Sequence, residues 1–338
     1  MRTINDFIWS VVLQQNDPSD RKPVDSVHTY IVEFDGAAGI EWGNNINVSS
    51  LYLKGVEGDV KTQFTGLMYH EMTHVFQWDG EGTAPSGLIE GIADYTILKV
   101  YDNPYGFANP GDGDSWDQGY TVTARFLEFF EYAVINDAAT TPGGTRFNNE
   151  IGVCKAKQIM ATANSFILYA IFQQSYPSDQ KAIDLVNLYI EEVKFPLTVT
   201  WGNNNINFSS IYMAGFKGDL KREFMANVYH EMTHVLQWTG NGNAPPGLIE
   251  GMAEYTKLKA NLTQPGFAEP GQGDHWHQGY DVTARFLEYC EGITPGFVAK
   301  LNKMMRFRFE FKYFKDLTGK PVYQLWLDYK VKYGQCCN

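Results

Sequence analysis

One 27-residue pattern occurs twice in this chain and limits how the chain can fold. Residues 69–95 read YHEMTHVFQWDGEGTAPSGLIEGIADY, and residues 229–255 read YHEMTHVLQWTGNGNAPPGLIEGMAEY, with identity at 20 of 27 positions. The differences leave unchanged both histidines, the glutamate between them and the glutamate of GLIEG. A length of 338 residues allows two domains, so the repeat predicts two related domains with one candidate site each.

The first half of each pattern, at residues 70–74 and 230–234, has the form H-E-x-x-H. Side chains four residues apart lie one turn apart on the same face of an α-helix, so the two imidazoles can bind one zinc ion. The central glutamate, Glu71 or Glu231, is suited to take a proton from a water molecule at the metal and to return it later. The predicted histidine ligands are His70, His74, His230 and His234.

A third ligand should follow on a second helix, because catalytic zinc usually has three protein ligands and one open position. Glu90 and Asp94 lie four residues apart in a segment with helical spacing, as do Glu250 and Glu254. One carboxylate of each pair can bind the metal while the other lies a turn away. From spacing alone, both members of each pair remain alternatives.

Two tyrosines follow the repeat. Tyr120 and Tyr280 stand after a glycine-rich loop, at the start of a further segment with an amphipathic helical pattern. A phenol near zinc could stabilise the oxyanion that forms during peptide hydrolysis. The alternative is a tyrosine that packs beneath the helix with its hydroxyl hydrogen-bonded.

These residues resemble the glutamate zinc peptidases of the thermolysin and aminopeptidase kind, in which E-G-x-A or E-x-x-x-D follows H-E-x-x-H. The resemblance implies that Glu90 and Glu250 bind zinc, and that Asp94 and Glu254 orient His70 and His230 by accepting a hydrogen bond. The interval of 15 residues between His74 and Glu90 is shorter here, which keeps Asp94 as a rival ligand.

A longer resemblance covers almost the whole second copy and points to the plant basic secretory protein family. It implies a secreted zinc metallopeptidase linked to plant defence, with one zinc ion per copy and a peptide or protein substrate. The implied fold is α+β, a zincin-like domain with a small mixed sheet and an HExxH helix, present twice. The matching stretches are TPGGTRFNNEIG, FQQ, GDLKREFMANVYHEMTHVLQW, GLIEGMAEY, PGQGDHWHQGYDVTARFLEYC and QLWLDYKVKYG.

Charge and hydropathy exclude other classes of partner. The net charge of -12 argues against nucleic acid or an anionic membrane as the main partner. No apolar run approaches the roughly 20 residues needed to cross a bilayer. The start of the chain has no recognisable signal peptide, so an extracellular location follows from the resemblance alone.

The two copies differ in extent. Residues 1–132 are predicted to be a truncated copy, residues 133–145 a linker, and residues 146–338 a complete copy. The second copy should therefore be the more stable and the more active. A rival hypothesis is a defence-associated binding protein in which the metal site is structural or vestigial.

Two further expectations concern the sheet and the cysteines. In zincins a strand at the rim of the cleft pairs with substrate, and NINVSSLYL and NINFSSIYM have the alternation of such a strand. All four cysteines belong to the second copy. They allow a disulfide from Cys154 to Cys290 or from Cys290 to Cys336, with free thiols as the alternative.

Overall fold

The computed structural model describes residues 2–334 except 16, 102–103, 105, 175–178, 182, 184 and 196. Helices and short strands alternate through this part of the chain, which confirms the predicted α+β class. The chain divides into two compact units, unit 1 at Met1–Glu131 and unit 2 at Tyr132–Asn338.

Unit 1 contains one small sheet and five α-helices among its described residues. Helix α1 continues into a π-helical turn at Ile8–Val12. The elements are α1 (Arg2–Phe7), β1 (His28–Val32), β2 (Gly39–Trp42), β3 (Asn45–Ser49), α2 (Ser50–Gly55), α3 (Val60–Phe76), α4 (Ser86–Val100) and α5 (Tyr120–Glu128).

Unit 2 repeats this order and adds elements at both ends. A strand and one helix precede the repeated part, which begins with a longer counterpart of α1, the helix Gly152–Ser165, and three helices follow it. The elements are β4 (Tyr132–Asn136), α6 (Pro142–Glu150), α7 (Gly152–Ser165), β5 (Val186–Glu191), β6 (Thr198–Trp201), β7 (Asn205–Ser209), α8 (Ser210–Gly215), α9 (Leu220–Leu236), α10 (Pro246–Lys259), α11 (Tyr280–Ile293), α12 (Phe297–Met304), α13 (Lys312–Thr318) and α14 (Val322–Lys332).

The segment predicted as a linker is part of unit 2. Strand β4 pairs with β5 in parallel, from Tyr132 opposite Val186 to Asn136 opposite Ile190. Helix α6 then starts at Pro142, where the Thr141 hydroxyl accepts a hydrogen bond from the Gly144 amide. The prediction failed because a short apolar strand and a proline-initiated helix were interpreted as turn residues.

In the described part of the chain, each sheet ends in a corresponding edge strand. The strand orders are β1-β3-β2 in unit 1 and β4-β5-β7-β6 in unit 2, so β2 and β6 are edge strands. The strands β3 and β7, which were expected to form the rim, lie between two neighbours instead. Their alternating pattern also stops early, because Ser49 and Ser209 cap the helices α2 and α8 by accepting from the Tyr52 and Tyr212 amides.

The helices that carry H-E-x-x-H are α3 and α9. Each starts at an aspartate cap, with Asp59 accepting from the Lys61 amide and Asp219 from the Arg222 amide. Each ends before Gln77 or Gln237. Among the helices that the structure describes, none combines the length and the apolar character needed to cross a bilayer.

The described cysteines are not paired. Cys154 is exposed and Cys290 is buried, and both are free thiols. The proposed Cys154–Cys290 disulfide is therefore wrong, and Cys336 and Cys337 lie outside the described residues.

Candidate active site

Two helices bring three potential metal ligands together in unit 1. Helix α3 carries His70 and His74, whose Nε2 atoms lie 3.0 Å apart. Helix α4 carries Glu90, whose Oε2 lies 3.2 Å from Nε2 of His70 and 3.5 Å from Nε2 of His74. The three donor atoms therefore converge on one point and could hold a metal ion.

Unit 2 has the same arrangement on α9 and α10. The Nε2 atoms of His230 and His234 are 3.0 Å apart, and Oε2 of Glu250 lies 3.2 Å from the first and 3.5 Å from the second. Two imidazoles and one carboxylate form a donor set that suits zinc, and three protein ligands leave a position open.

The rival carboxylates lie on the other side of the first histidine. Asp94 Oδ1 is 2.7 Å from Nδ1 of His70, and Glu254 Oε1 is 3.0 Å from Nδ1 of His230. A proton held on Nδ1 by a carboxylate leaves Nε2 free to bind a metal. In unit 2 the same Oε1 atom of Glu254 also accepts from Nζ of the buried Lys257, at 2.8 Å.

The second histidine of each pair has an amide partner. Nε2 of Gln77 lies 2.6 Å from Nδ1 of His74, and the Gln77 oxygen is buried without a partner among the described residues. Turning this amide over would let its oxygen accept from Nδ1–H, which is the tautomer that binds metal through Nε2, but it would give up the hydrogen bond from Gln77 Nε2 to the Ile89 carbonyl at 3.2 Å. Gln237 stands in the same relation to His234, so both sites fit a metal ion.

The histidines and carboxylates hold each other in charged forms. Burial would lower the pKa of His70, but hydrogen bonds to Asp94 and Glu90 outweigh it and raise that pKa to about 9. Hydrogen bonds from His70 and His74 lower the pKa of Glu90 to about 2. In unit 2, burial is again outweighed, by hydrogen bonds to Glu250 and Glu254, and the pKa of His230 rises to about 9.

The glutamates proposed as general bases are buried against the edge strands. Glu71 and Glu231 are each only 4% exposed. In unit 2, the Thr200 hydroxyl of β6 donates to Oε2 of Glu231 at 2.7 Å. In unit 1, a Cβ atom on Gly39 of β2 would lie 2.5 Å from Oε1 of Glu71, so this strand also lies against the carboxylate. Burial raises the pKa of Glu71.

The predicted tyrosines lie beside the first histidine of each pair. The Tyr120 ring is nearly parallel to the His70 ring, with centroids 6.1 Å apart, and Tyr280 stacks on His230 at 6.2 Å. Both side chains are more than half exposed, so they do not pack beneath their helices. The charge of Glu90 is the main cause that raises the pKa of Tyr120, which agrees with a phenol close to the ligand group.

The backbone at these tyrosines is strained. Tyr120 has a φ of 43° and Tyr280 a φ of 44°, values that a bulky residue rarely adopts. Such strain persists only where the surrounding structure imposes it, and it is concentrated at functional sites.

The two glycines of GLIEG allow the segment from Asp117 to Thr123 to approach helix α4 closely. A Cβ atom on Gly87 would lie 1.7 Å from the Asp117 carbonyl oxygen, and one on Gly91 would lie 2.2 Å from the Thr123 side chain. Unit 2 shows the same close approach at Gly247 and Gly251. These glycines let α4 and α10 pack closely against the segment that carries the tyrosine.

The two histidines and the glutamate of each site lie in an open cleft. The cleft in unit 1 has a volume of about 1000 Å³ and the cleft in unit 2 about 880 Å³, which is sufficient for a peptide segment. Both are lined by the histidines, the candidate base, the ligand glutamate, the tyrosine and the edge strand.

Sequence reasoning missed several residues that contact the site. Gln77 and Gln237 could have been found, because each lies three residues after the second histidine and is unchanged between the copies. Thr200 and Lys257 gave no such signal, because Glu41 and Ile97 occupy the corresponding positions of the first copy.

Comparisons with known proteins place these observations in a family. The family described as "Peptidase of plants and bacteria" matches residues 1–134 and again residues 129–329. A protein from Boswellia serrata named "Basic secretory protease" is 42% identical over 59 residues, which are 18% of this chain and 67% of that protein. No solved structure matches the chain. The chain therefore belongs to the basic secretory protein family of plant and bacterial peptidases, as two tandem copies.

Proposed function

We propose that this protein hydrolyses peptide bonds with one zinc ion bound in each unit. The observation that carries the proposal is the convergence of His70, His74 and Glu90 on one point of an open cleft, repeated by His230, His234 and Glu250. Membership of a peptidase family supports a peptide or protein substrate. The zincin-like fold remains a prediction from the resemblance.

Distances favour Glu90 and Glu250 as the third ligands. Oε2 of Glu90 lies near both Nε2 atoms, whereas Asp94 contacts Nδ1 of His70 on the opposite side of the ring. Asp94 and Glu254 would then orient His70 and His230 and keep the proton on Nδ1.

Zinc held by these residues would lower the pKa of a water molecule and polarise the scissile carbonyl. Glu71 or Glu231 takes the proton of the attacking water and delivers it to the leaving amine. Tyr120 or Tyr280 donates a hydrogen bond to the oxyanion, since each phenol lies beside the histidine that would bind the metal.

Unit 2 is the unit for which we propose the greater activity. Its core is larger and includes side chains from β4, α6 and the three C-terminal helices, which have no counterpart among the described residues of unit 1. We also propose that the protein acts outside the cell, because the Boswellia serrata relative is named a secretory protease. A role in plant defence follows from the family resemblance alone.

Turnover separates this proposal from a non-catalytic binding protein. Purified full-length protein, loaded with zinc, should cleave a mixed peptide library, and chelation with EDTA should abolish cleavage. The Glu71→Gln/Glu231→Gln variant should keep both zinc ions and lose cleavage. Equal cleavage by the variant and the parent would exclude the proposed bases, and no cleavage by the parent would favour the binding protein.

A further inference from the structure

The two clefts differ in charge where the edge strand meets the general base. In unit 1, Glu41 of β2 is opposite Ile46 of β3. In unit 2, Thr200 of β6 is opposite Ile206 of β7, so Thr200 occupies the position that corresponds to Glu41. The hydroxyl of Thr200 is already engaged, because it donates a hydrogen bond to Glu231. At the same place unit 1 carries a second carboxylate.

Burial raises the pKa of the Glu41 carboxylate, and the charges of His74 and Lys22 offset this effect only in part. The carboxylate is partly buried and lines the cleft, and its charge acts on both Glu71 and His74. Among the described residues, no hydrogen bond or ion pair reaches it. A carboxylate in such a place is stabilised when a cation binds beside it.

The charges of the other residues that line the clefts support the same contrast. The described residues that line the first cleft include four carboxylates, on Glu41, Glu71, Glu90 and Asp94, and no lysine or arginine. The second cleft has a threonine at the edge-strand position and is also lined by Lys181 and Arg306. Lys22, which corresponds to Lys181 in the first copy, acts on Glu41 through its charge but does not line the first cleft. A positively charged group is therefore favoured in the first cleft more than in the second.

An extended peptide can reach Glu41 through the free edge of the sheet. Strand β2 pairs only with β3 among the described residues, so its other edge can accept a peptide as an added strand. Side chains directly opposite in neighbouring strands lie about 5 Å apart on the same face, and opposite charges in such pairs attract. A peptide side chain opposite Glu41 would lie close to Glu71.

We infer that Glu41 makes the first cleft select peptides with a lysine or arginine side chain beside the general base, whereas Thr200 gives the second cleft no such preference. The inference rests on the proposed peptidase function. It makes Glu41 the residue that distinguishes the substrates of the two sites.

A set of matched peptides tests this in the full chain. Each peptide carries one lysine or the uncharged norleucine, moved through the positions around the cleaved bond. With Glu231→Gln present, turnover comes from the first site, and the best lysine peptide should have a kcat/KM about fivefold above its norleucine partner. Both Glu41→Thr and the isosteric Glu41→Gln should reduce this ratio to about one.

The reciprocal change provides the matched control. With Glu71→Gln present, turnover comes from the second site, and the lysine and norleucine peptides should be cleaved within about twofold of each other. Thr200→Glu should then create a lysine preference of about fivefold. A preference in the first site that survives Glu41→Thr would overturn the inference.

A binding measurement keeps the result separate from catalysis. Calorimetric titration with the lysine peptide compares the Glu71→Gln/Glu231→Gln variant with a triple variant that also carries Glu41→Thr. The double variant should bind the peptide about fivefold more tightly. If the parent cleaves nothing and this difference persists, the peptidase proposal fails and the charge selection stands. Loss of one zinc ion per chain on Glu41→Thr, with equal binding of both peptides, would identify Glu41 as a metal ligand and overturn the inference.

Discussion

The two units hold the same ligand group in different surroundings. The distances from the glutamate oxygen to the two imidazoles, 3.2 and 3.5 Å, are the same in both. Strand β5 of unit 2 is covered by β4, and its residues Val186, Leu188 and Ile190 are buried. Among the described residues, the corresponding strand β1 of unit 1 pairs only with β3, and Ile31 is 61% exposed. Site geometry thus depends on two helices and an edge strand, whereas stability depends on the layers around them.

The end of the metal-binding helix shows the same contrast. In unit 2, the Trp238 amide donates to Oδ1 of Asn302, and the guanidinium of Arg306 lies over the Trp238 ring. In unit 1, the corresponding Trp78 is 55% exposed. The C-terminal part of unit 2 therefore supports the end of α9, whereas the described residues of unit 1 include no corresponding helices.

The largest expected difference between the units is in turnover. Glu231→Gln should reduce the total cleavage rate at least about tenfold, while Glu71→Gln should reduce it less than about twofold. Loss of a general base lowers the rate at its own site by about 10²–10⁴-fold, so the remaining rate reports the other site. The rates are measured on the mixed peptide library with zinc in excess.

Zinc content must be measured on the same samples. Both single variants should bind two zinc ions per chain, because neither glutamine replaces a ligand. If Glu231→Gln and Glu71→Gln reduced the cleavage rate by similar factors, the sparser surroundings of unit 1 would not limit its chemistry. The proposed ranking of the two sites would then be wrong.

The sequence predicted the parts of the site that depend on local geometry. His70 and His74 converge because positions four apart share a helix face. The choice between Glu90 and Asp94 could not be made in this way, because both share a face of α4 and the distance depends on how α4 crosses α3. Thr200 could not be predicted as a site residue, because it contacts Glu231 from a strand 31 residues earlier in the chain. Long-range contacts of this kind have no signature in spacing.

The next largest difference should appear in metal affinity. Lys257 holds Glu254 in place in unit 2, whereas unit 1 has the shorter Asp94 and Ile97. Lys257→Ile should weaken zinc binding at the second site by about 10–100-fold, because the longer carboxylate loses the partner that fixes it beside His230. Competition with a chromophoric chelator measures this in a His70→Ala/His74→Ala background, where only the second site binds.

Unit 1 supplies the control for this change. The Glu254→Asp/Lys257→Ile variant reproduces the Asp94 and Ile97 pair, so it should recover most of the affinity lost by Lys257→Ile. A double variant no better than the single one would mean that Lys257 acts through general packing, and would remove it as a positioning residue.

A smaller effect should come from the close helix packing that both units share. A Cβ atom on Gly91 or on Gly251 would lie 2.2 Å from a threonine methyl group. Each Gly→Ala variant should destabilise its unit by about 1–3 kcal/mol through this clash. Thermal unfolding should show the larger loss of folded protein for Gly91→Ala, because unit 1 has the smaller core.

Exposed glycines provide matched controls for this prediction. Gly55 and Gly215 end the helices α2 and α8, and a Cβ atom on either would have nothing within 4 Å. Alanine at these positions should leave the unfolding temperature nearly unchanged. If Gly55→Ala and Gly91→Ala were equally harmful, unit 1 would be sensitive to any change, and the close approach of α4 and α5 would not be the cause.

The smallest expected difference between the units is in the pH dependence of their stability, which the two should share. In EDTA-treated protein, the pKa of His70 is raised from 6.5 to about 9, so its contribution to stability is complete below pH 6.5 and is lost as the pH rises through 9. The pKa of Glu90 is lowered from 4.5 to about 2, so its contribution is complete above pH 4.5 and is lost as the pH falls through 2. Both contributions are complete only between pH 4.5 and 6.5.

Hydrogen exchange of amides in α3 and α9 can follow this dependence separately in each unit. Protection in both helices should be greatest near pH 5.5 after correction for intrinsic exchange rates, and it should decline toward pH 9. Glu90→Gln should flatten the profile of α3 and leave that of α9 unchanged. Zinc should reverse the trend above pH 6.5, because metal binding displaces protons from His70 and His230 and is favoured as the pH rises. If neither Glu90→Gln nor zinc changed the pH profile of amide protection in α3, the ligand residues would not stabilise unit 1. The two sites would then share their geometry but not their effect on stability.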